Sequence, residues 1–359
     1  MRRALKISCV LTAGAALYAL ALRWNAALFE RHRAMLGRLF AALGRMCAQF
    51  KFSVAEIAGI ALFAYAITML ASALVKSIAR RSPAPIAGFA ARFLCIALPA
   101  VGAFNLIWPV HMDTAARTAY ERAYSIDDLQ QLIRALDTRL RADETGITFE
   151  GGRMKLRMDF DLTAQKVAAA YEAAGWGTVA PPKAARYPEW LSRIHAVGIF
   201  IPFTGEAIIS PDELDSALPF TMLHEAAHSL GAFREDEANM IALKVGLKSD
   251  DAELRWSSAL TAMRYALNTL RSLDEDLFDA ALDSISPAAR RELDAMGTFT
   301  LPASIANAYI AQFSGNVATV SAQSRSYFAR TENAGAYDGV VYLLLSEGDA
   351  ALDMVLPPQ

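Results

Sequence analysis

Two histidines and several acidic residues in the second half of the chain have the types and spacing of a metal site. They lie in the stretch PFTMLHEAAHSLGAFREDEANMIA, residues 219–242. His224 and His228 are four residues apart, so on a helix both imidazoles lie on one face and can bind one ion. Glu225 lies on the neighbouring face and can reach a water bound to that ion rather than the ion itself. This arrangement predicts metal-assisted hydrolysis, with Glu225 as the general base.

A catalytic zinc ion takes three protein ligands, so a third ligand is needed beyond the two histidines. Gly231 can end the histidine helix in a left-handed cap, and a second helix is predicted to begin near Arg234. Glu235 shares a face of that helix with small residues that permit close packing, so it is favoured over Glu237, whose face carries larger side chains. Asn239, one turn after Glu235, is predicted to hold Glu235 or a histidine in place. Acids at a helix start also suit the helix dipole without any metal.

The composition predicts membrane-spanning helices ahead of this motif. The chain has 359 residues, 54% of them apolar, and a mean hydropathy of +0.25. Three apolar runs, at about residues 5–22, 55–76 and 90–110, have lengths that suit bilayer-spanning helices. No small-residue cleavage site follows Leu22, so the first run is interpreted as a span rather than a secretory signal. Buried helices of a soluble domain are the alternative for the first and third runs.

The charge pattern leaves the orientation in the membrane open and argues against nucleic acid. Basic residues precede the first span and lie in both connectors between spans, so the positive-inside rule is compatible with either orientation of the chain in the membrane. The basic start favours an N-terminus inside, which after three crossings puts the C-terminal part outside the cytoplasm. The formal net charge of −2 gives no reason to expect a nucleic-acid partner. The expected partners are the lipid bilayer and a peptide or protein substrate, which itself can be membrane-associated.

The order of segments predicts a mainly α fold with a small sheet, in the α+β class. Residues 1–112 are predicted to form a membrane anchor. Within it, residues 23–52 are predicted to form a basic amphipathic helix that either lies on lipid or connects two spans. Within residues 113–359, Ser125 is predicted to cap a helix. Short strands are expected around Gly151 and Gly152 and again within residues 196–210, and nearly everything after Leu218 is expected to be helical.

The chain resembles a bacterial membrane-protein family of unknown function that is regarded as zinc-metallopeptidase-like. In that family, N-terminal membrane helices precede H-E-x-x-H, a glycine and E-x-E-A-N, as in HEAAHSLGAFREDEAN of this chain. The resemblance extends upstream through GIFIPFTGEAIISPDELDSALPF and downstream to YFARTENAGAYDGVVYLLL. It implies a zincin- or gluzincin-like helical metallopeptidase domain over residues 113–359 and a Zn²⁺ cofactor.

The segment REDEANMIA is also similar to the E-x-x-A-D/N element of gluzincin peptidases. Examples are the membrane proteases that process prenylated proteins and the soluble peptidases that cleave phage-type repressors. The first Glu of that element binds zinc, which implies Glu235 as the third ligand here. This sequence has Asn239 where the prenyl-processing relatives carry Asp.

Further candidate residues lie on either side of the motif. The edge strand that pairs with substrate in zincin folds is best matched by GIFIPFTGEAIIS, although an ordinary hairpin explains it equally well. Within that stretch, Glu206 is a candidate ligand for a substrate amine or a simple turn residue. Tyr327 and Tyr337 are candidate donors to a tetrahedral intermediate, and a packed aromatic ring is the alternative for each.

Two other functions stay open at the level of sequence. The first is a non-proteolytic membrane sensor or scaffold that keeps zinc for structural or regulatory reasons. The second is a membrane-assembly protein in which the histidine motif is a coincidence. The remaining histidines, His32, His111 and His195, lack partners at ligand spacing and are interpreted as surface or interfacial residues.

Overall fold

The computed structural model describes residues 2–108, 125–194, 196–296, 340–341, 344–345 and 348–357. Its helices are α1 Arg2–Trp24, α2 Ala26–Cys47, α3 Val54–Arg80, α4 Ala84–Ile107, α5 Ile126–Asp143, α6 Phe160–Ala173, α7 Pro188–Arg193, α8 Leu218–Ser229, α9 Glu235–Leu247, α10 Ala252–Leu273, α11 Glu275–Ser284, α12 Pro287–Ala295 and α13 Asp349–Val355. Its strands are β1 Thr148–Glu150, β2 Arg153–Lys155, β3 Lys183–Ala184, β4 Gly198–Ile201 and β5 Glu206–Ile209. The mainly helical fold with small sheets and three N-terminal apolar helices is therefore confirmed.

The chain forms two compact units. The first contains the N-terminal helices together with residues 200–206 and 229–234, and the second contains the other described residues. The predicted boundary between residues 112 and 113 lies outside the described residues, so that division stays a prediction.

The first unit contains three helices that are long and apolar enough to cross a membrane. They span Arg3–Trp24, Val54–Arg80 and Ala84–Ile107, and most of their apolar side chains are exposed. Exposed apolar side chains on long helices suit a lipid environment. Helix α1 packs along α4, where Gly102 permits a close approach because a Cβ there would lie 3.2 Å from the Cβ of Ala15.

Helix α2 is amphipathic and is packed into the first unit. Asn25 caps the N-terminus of this helix, because its side-chain Oδ1 accepts a hydrogen bond from the Leu28 amide at 3.0 Å. Of the two alternatives predicted for His32, the surface position is wrong, because this residue is buried, and the interfacial position stays a prediction. Its Nε2 lies 3.1 Å from the Leu106 carbonyl oxygen and its Nδ1 lies 3.4 Å from the Tyr18 hydroxyl. The ring thus bridges three helices, a role that its sequence spacing does not reveal.

The second unit begins with local features that follow the sequence closely. Ser125 and Asp128 form a reciprocal capping box at the start of α5, which satisfies backbone donors that a helix start leaves open. Strands β1 and β2 pair in antiparallel register, Thr148 opposite Lys155. Gly151 and Gly152 join them with φ values of +58° and +81°, a left-handed conformation that favours glycine.

A buried cation ties distant segments of the second unit together. The Arg139 guanidinium on α5 donates to the carboxylate of Asp143 at 2.8 Å and to the carbonyl oxygen of Leu247 at 3.1 Å. It also donates to the carbonyl oxygen of Leu356 at 3.0 Å. Arg255 on α10 donates to the other oxygen of Asp143 at 2.8 Å. Because a buried charge needs partners, this network fixes the ends of α9 and α13 to α5.

A three-stranded sheet lies next to the histidine helix in the sequence. Its strand order is β3-β5-β4, and β3 runs parallel to β5 with Lys183 opposite Ile208. The two strands expected within residues 196–210 are therefore present, and β4 lies at one edge of this sheet. Strand β3 is not predictable from the sequence, because its two residues give almost no periodic signal.

Candidate metal centre

Helix α8, which carries the two motif histidines, is buried and held at several points. Ala226 and Ala227 between the histidines are 1% and 0% exposed, so the helix is thin where it is most tightly packed. The Tyr171 hydroxyl on α6 donates to the Leu223 carbonyl oxygen at 2.6 Å. Near the helix start, the Ser257 hydroxyl on α10 accepts from the Phe220 amide at 3.1 Å. These contacts hold the helix in place through protein groups alone, without a bound metal ion.

Small residues of α9 lie against the neighbouring helices α8 and α10. Gly246 is in direct contact with Ser258 on α10, and a Cβ added at Gly246 would lie 2.8 Å from Cδ1 of Leu223 on α8. Ala238 and Ala242 are fully buried. Close packing of α9 against α8 and α10 brings the first residue of α9, Glu235, towards the histidines.

The turn between the two helices contains the expected left-handed glycine. Gly231 has a φ of +88°, which a residue with a Cβ adopts only with strain. Helix α8 ends at Ser229 and α9 begins at Glu235, in agreement with the helix boundaries expected from the sequence.

Three side chains converge on one point. The Nε2 atoms of His224 and His228 lie 3.2 Å apart. The Glu235 carboxylate places Oε2 at 3.0 Å from Nε2 of His224 and Oε1 at 3.7 Å from Nε2 of His228. Among the residues that the structure describes, these are the one group of three or more His, Cys, Asp or Glu side chains close enough to share an ion. The structure thus brings Glu235 to the two rings.

Asn239 holds the ring of His224 from the side opposite Glu235. Its Oδ1 lies 2.8 Å from Nδ1 of His224, and because an amide oxygen can only accept, Nδ1 carries a proton. The Tyr265 hydroxyl on α10 donates to the same Oδ1 at 3.3 Å. The Asn239 amide therefore fixes the ring so that Nε2 faces the other two side chains. The sequence pattern predicts a supporting role for Asn239 but gives no signal for Tyr265, whose helix has no motif of its own.

The Glu235 carboxylate forms an ion pair with the protonated ring of His224 and lies close to His228. Burial lowers the pKa of His224, but the hydrogen bond and the negative charge of Glu235 outweigh it and raise that pKa to about 9. Burial raises the pKa of Glu235, but the hydrogen bond from His224 and the charges of both histidines lower it to about 2. The proton on Nε2 of His224 is the one that a metal ion has to displace.

Glu225 lies at the edge of the sheet. Its side chain is largely buried, and its negative charge contributes to the raised pKa of His224. Its carboxylate packs against Gly198, the first residue of β4, where an added Cβ would lie 2.9 Å from Oε1 of Glu225. Strand β4 therefore supports the predicted general base, and only glycine leaves that base its present position.

The other predicted residues are placed differently. Glu237 lies outside the group of three, and its backbone amide donates a hydrogen bond to Oδ1 of its neighbour Asp236 at 2.8 Å. Tyr327 and Tyr337 lie outside the described residues, as do His111 and His195. Glu206 is buried and caps α3, since its carboxylate accepts hydrogen bonds from the amides of Val54 at 2.9 Å and Ala55 at 2.8 Å. A cap made by a residue so distant in sequence leaves no local signal.

Comparison with protein-family models gives one assignment. Residues 37–345, most of the chain, match the family described as "Protein of unknown function (DUF3810)". Neither the curated proteins nor the solved structures contain a match to the chain. The expectation of a family of unknown function is confirmed, and the zinc-peptidase part of the resemblance stays a prediction. The chain belongs to the DUF3810 family of proteins of unknown function.

Proposed function

We propose that this protein is a membrane-anchored, zinc-dependent metallopeptidase. One observation carries the proposal: Nε2 of His224, Nε2 of His228 and the Glu235 carboxylate approach one another within 3.0 to 3.7 Å. Three nitrogen and oxygen ligands with a further position open are the ligand set of a catalytic zinc site.

The donor atoms suit zinc in type and in spacing. Bonds of about 2.0–2.2 Å at tetrahedral angles separate neighbouring ligand atoms by about 3.3–3.6 Å. The distances of 3.2, 3.0 and 3.7 Å between the donor atoms lie close to that range. Two imidazoles and a carboxylate also form a harder set than the thiolates that typify structural zinc sites.

Solvent access supports a catalytic rather than a purely structural site. Structural zinc sites are closed, whereas catalytic sites keep one position for water or substrate. The side chain of Glu235 is 38% exposed, whereas that of His228 is only 4% exposed. The group of three is therefore buried on the His228 side and reaches solvent on the Glu235 side, where a substrate can enter.

Each residue of the centre has a distinct task in peptide hydrolysis. When bound, zinc supplies a Lewis acid that lowers the pKa of a water molecule to about 7. Glu225 accepts a proton from the attacking water and returns it to the leaving amine as the peptide bond breaks. Asn239 keeps His224 in the tautomer that offers Nε2 as a ligand. Gly198 leaves the Glu225 carboxylate free to make both proton transfers.

The location of the activity is part of the proposal. The three apolar helices anchor the chain as a multi-pass protein of the cell membrane, with the catalytic part on the extracytoplasmic side. The substrate is a peptide or protein, and an anchored enzyme meets membrane-associated substrates most often.

The test compares the full-length protein with Glu225→Gln and a matched control, Glu150→Gln, which removes one carboxylate from an exposed position on β1. All three chains should bind one zinc ion by elemental analysis. Only Glu225→Gln should lose the peptide termini that the active enzyme generates in cells, with turnover falling by about 10²- to 10⁴-fold.

Two results would exclude a peptidase. If the purified wild-type chain contains no zinc, the histidine motif is a coincidence and the protein is not a zinc peptidase. A chain that holds zinc, but whose cellular phenotype and peptide termini are the same in Glu225→Gln, is a zinc-binding sensor or scaffold.

A further inference from the structure

The turn at residues 229–234 connects the second histidine to the third proposed ligand and helps to place that ligand. It follows directly after His228 and ends directly before Glu235. Because both ends of this turn are bonded to ligand residues, its conformation and the packing of α9 together set the distance between the Glu235 carboxylate and the imidazoles. Whatever holds this turn in place therefore acts on the metal site without touching the metal.

Helix α2 of the membrane anchor holds the turn by a charged hydrogen bond. Nε of Arg33 donates to the carbonyl oxygen of Gly231 at 3.0 Å, across 198 positions of sequence. A hydrogen bond from a charged donor is stronger than one between neutral groups. It fixes the one residue of the turn that has a left-handed backbone, Gly231 at φ +88°.

A second contact lies one helical turn further along α2. A Cβ at Gly37 would lie 2.7 Å from the carbonyl oxygen of Leu230 and 3.1 Å from its carbonyl carbon. Real Cβ atoms do not approach a backbone so closely, so the turn rests directly on the bare helix backbone. Arg33 and Gly37 are four residues apart and share one face of α2.

Aromatic packing fixes the far end of the same turn. The ring of Phe233 lies 6.1 Å from that of Phe40 on α2 and 5.4 Å from that of Trp108 after α4, both in edge-to-face geometry. Phe233 is 2% exposed. The turn is thus attached to the membrane anchor at Leu230, Gly231 and Phe233.

We propose that helix α2 is the positioning element of the metal centre, with Arg33 and Gly37 as positioning residues for Glu235. The inference rests on the proposed zinc site and adds that the membrane anchor, beyond locating the enzyme, completes its ligand set. Loss of either contact lets the turn relax, and Glu235 then leaves the two imidazoles.

The experiment uses the full-length protein in detergent with Arg33→Ala and Gly37→Ala. Arg38→Ala is the control for the arginine, because Arg38 is exposed on the same helix. Gly59→Ala is the control for the glycine, because a Cβ there meets nothing within 4 Å. Three quantities are measured: zinc affinity by competition with a chelator, the visible spectrum with Co²⁺ in place of Zn²⁺, and amide hydrogen exchange across residues 229–234.

The two positioning variants should lose about 10- to 100-fold in zinc affinity, the usual effect of disturbing a residue that supports a ligand. Their Co²⁺ spectra should match that of Glu235→Ala, and the amides of the turn should exchange faster. Amides of α10 should keep their protection, which shows that the second unit remains folded. Both control variants should behave as wild type.

Wild-type affinity and a wild-type Co²⁺ spectrum in Arg33→Ala and Gly37→Ala would overturn the inference while leaving the zinc site intact. Unchanged exchange at residues 229–234 would overturn it as well. A wild-type chain that binds neither Zn²⁺ nor Co²⁺ would remove the proposed function, and this inference with it.

Discussion

Gly198→Ala tests whether β4 supports the general base. The substitution adds one methyl group in a backbone conformation that alanine adopts freely, since the φ of Gly198 is not positive. The new Cβ would lie 2.8 Å from Cγ and 2.9 Å from Oε1 of Glu225, and 3.0 Å from Cδ1 of Ile209. The Glu225 side chain, the longest and most flexible of these neighbours, is the group that moves.

The size of the effect follows from these distances. Cγ of Glu225 has to retreat from 2.8 Å to an ordinary contact of 3.4 Å, a shift of about 0.6 Å. Since a misplacement of about 1 Å can cost roughly 100-fold in rate, we expect kcat to fall by about tenfold or more. Overpacking of this kind also lowers the free energy of unfolding by about 1–3 kcal/mol. Zinc content should not change, because the three atoms nearest to the new methyl group belong to Glu225 and Ile209, neither of which is a proposed ligand.

The assay is a double-mutant cycle with Glu225→Ala, which removes both clashing atoms. Gly198→Ala should clearly lower the unfolding temperature of the wild-type chain. It should lower that of the Glu225→Ala chain much less, because of the three nearest atoms only Cδ1 of Ile209 then remains close to the new methyl group. Turnover should fall in the single variant Gly198→Ala, and Gly14→Ala, whose Cβ meets nothing within 4 Å, should be unaffected. Equal destabilisation in both backgrounds would refute the reasoning, since the methyl group would then act through another neighbour.

Three further substitutions test other contacts. Asn239→Ala should lower zinc affinity by about 10- to 100-fold in a chelator competition, because His224 loses the acceptor that fixes its ring. Glu292→Gln should lower the unfolding temperature at pH 7: burial raises the pKa of Glu292, but its bonds to Arg153 and the Met154 amide lower it overall. That stabilisation exists above the unfolded pKa near 4.5 and is lost as the pH falls through the lower folded value, so the two unfolding temperatures should converge in acid. Glu206→Gln should cost about 1–2 kcal/mol of stability in denaturant unfolding and leave zinc affinity unchanged, because the carboxylate caps α3; an altered zinc affinity would contradict the cap as its sole task.

Features that depend on residues close in sequence were predictable. The capping box at Ser125, the glycine turn at Gly151 and Gly152, and the left-handed Gly231 all follow from local backbone preferences. The spacing of the two histidines and the small residues on the face of Glu235 were enough to predict that these side chains meet. Local periodicity also separated the three apolar helices from the rest.

Features that depend on contacts between distant residues were missed. Tyr265 reaches Asn239 only because α10 packs against α9, and nothing in the sequence of α10 marks that contact. Glu206 caps a helix start about 150 positions earlier. Because no residue near Glu206 in the sequence indicates this contact, the sequence predicted only a substrate ligand or a turn residue. His32 is buried between helices whose packing the sequence does not specify. Such pairings follow from tertiary packing, which propensity and spacing do not encode.

The guanidinium of Arg139 has a consequence for the way the protein is made. Synthesis proceeds from the N-terminus, and besides Asp143 on the same helix this cation has acceptors 108 positions later at Leu247 and 217 positions later at Leu356. Until both have emerged from the ribosome, Arg139 has its carboxylate partner but lacks the carbonyl acceptors that complete its buried hydrogen bonds. Helix α5 can form early and pack against α10, but its buried guanidinium stays incompletely bonded until then. A nascent chain stopped before α13 should therefore be more open to proteases around α5 than the finished chain.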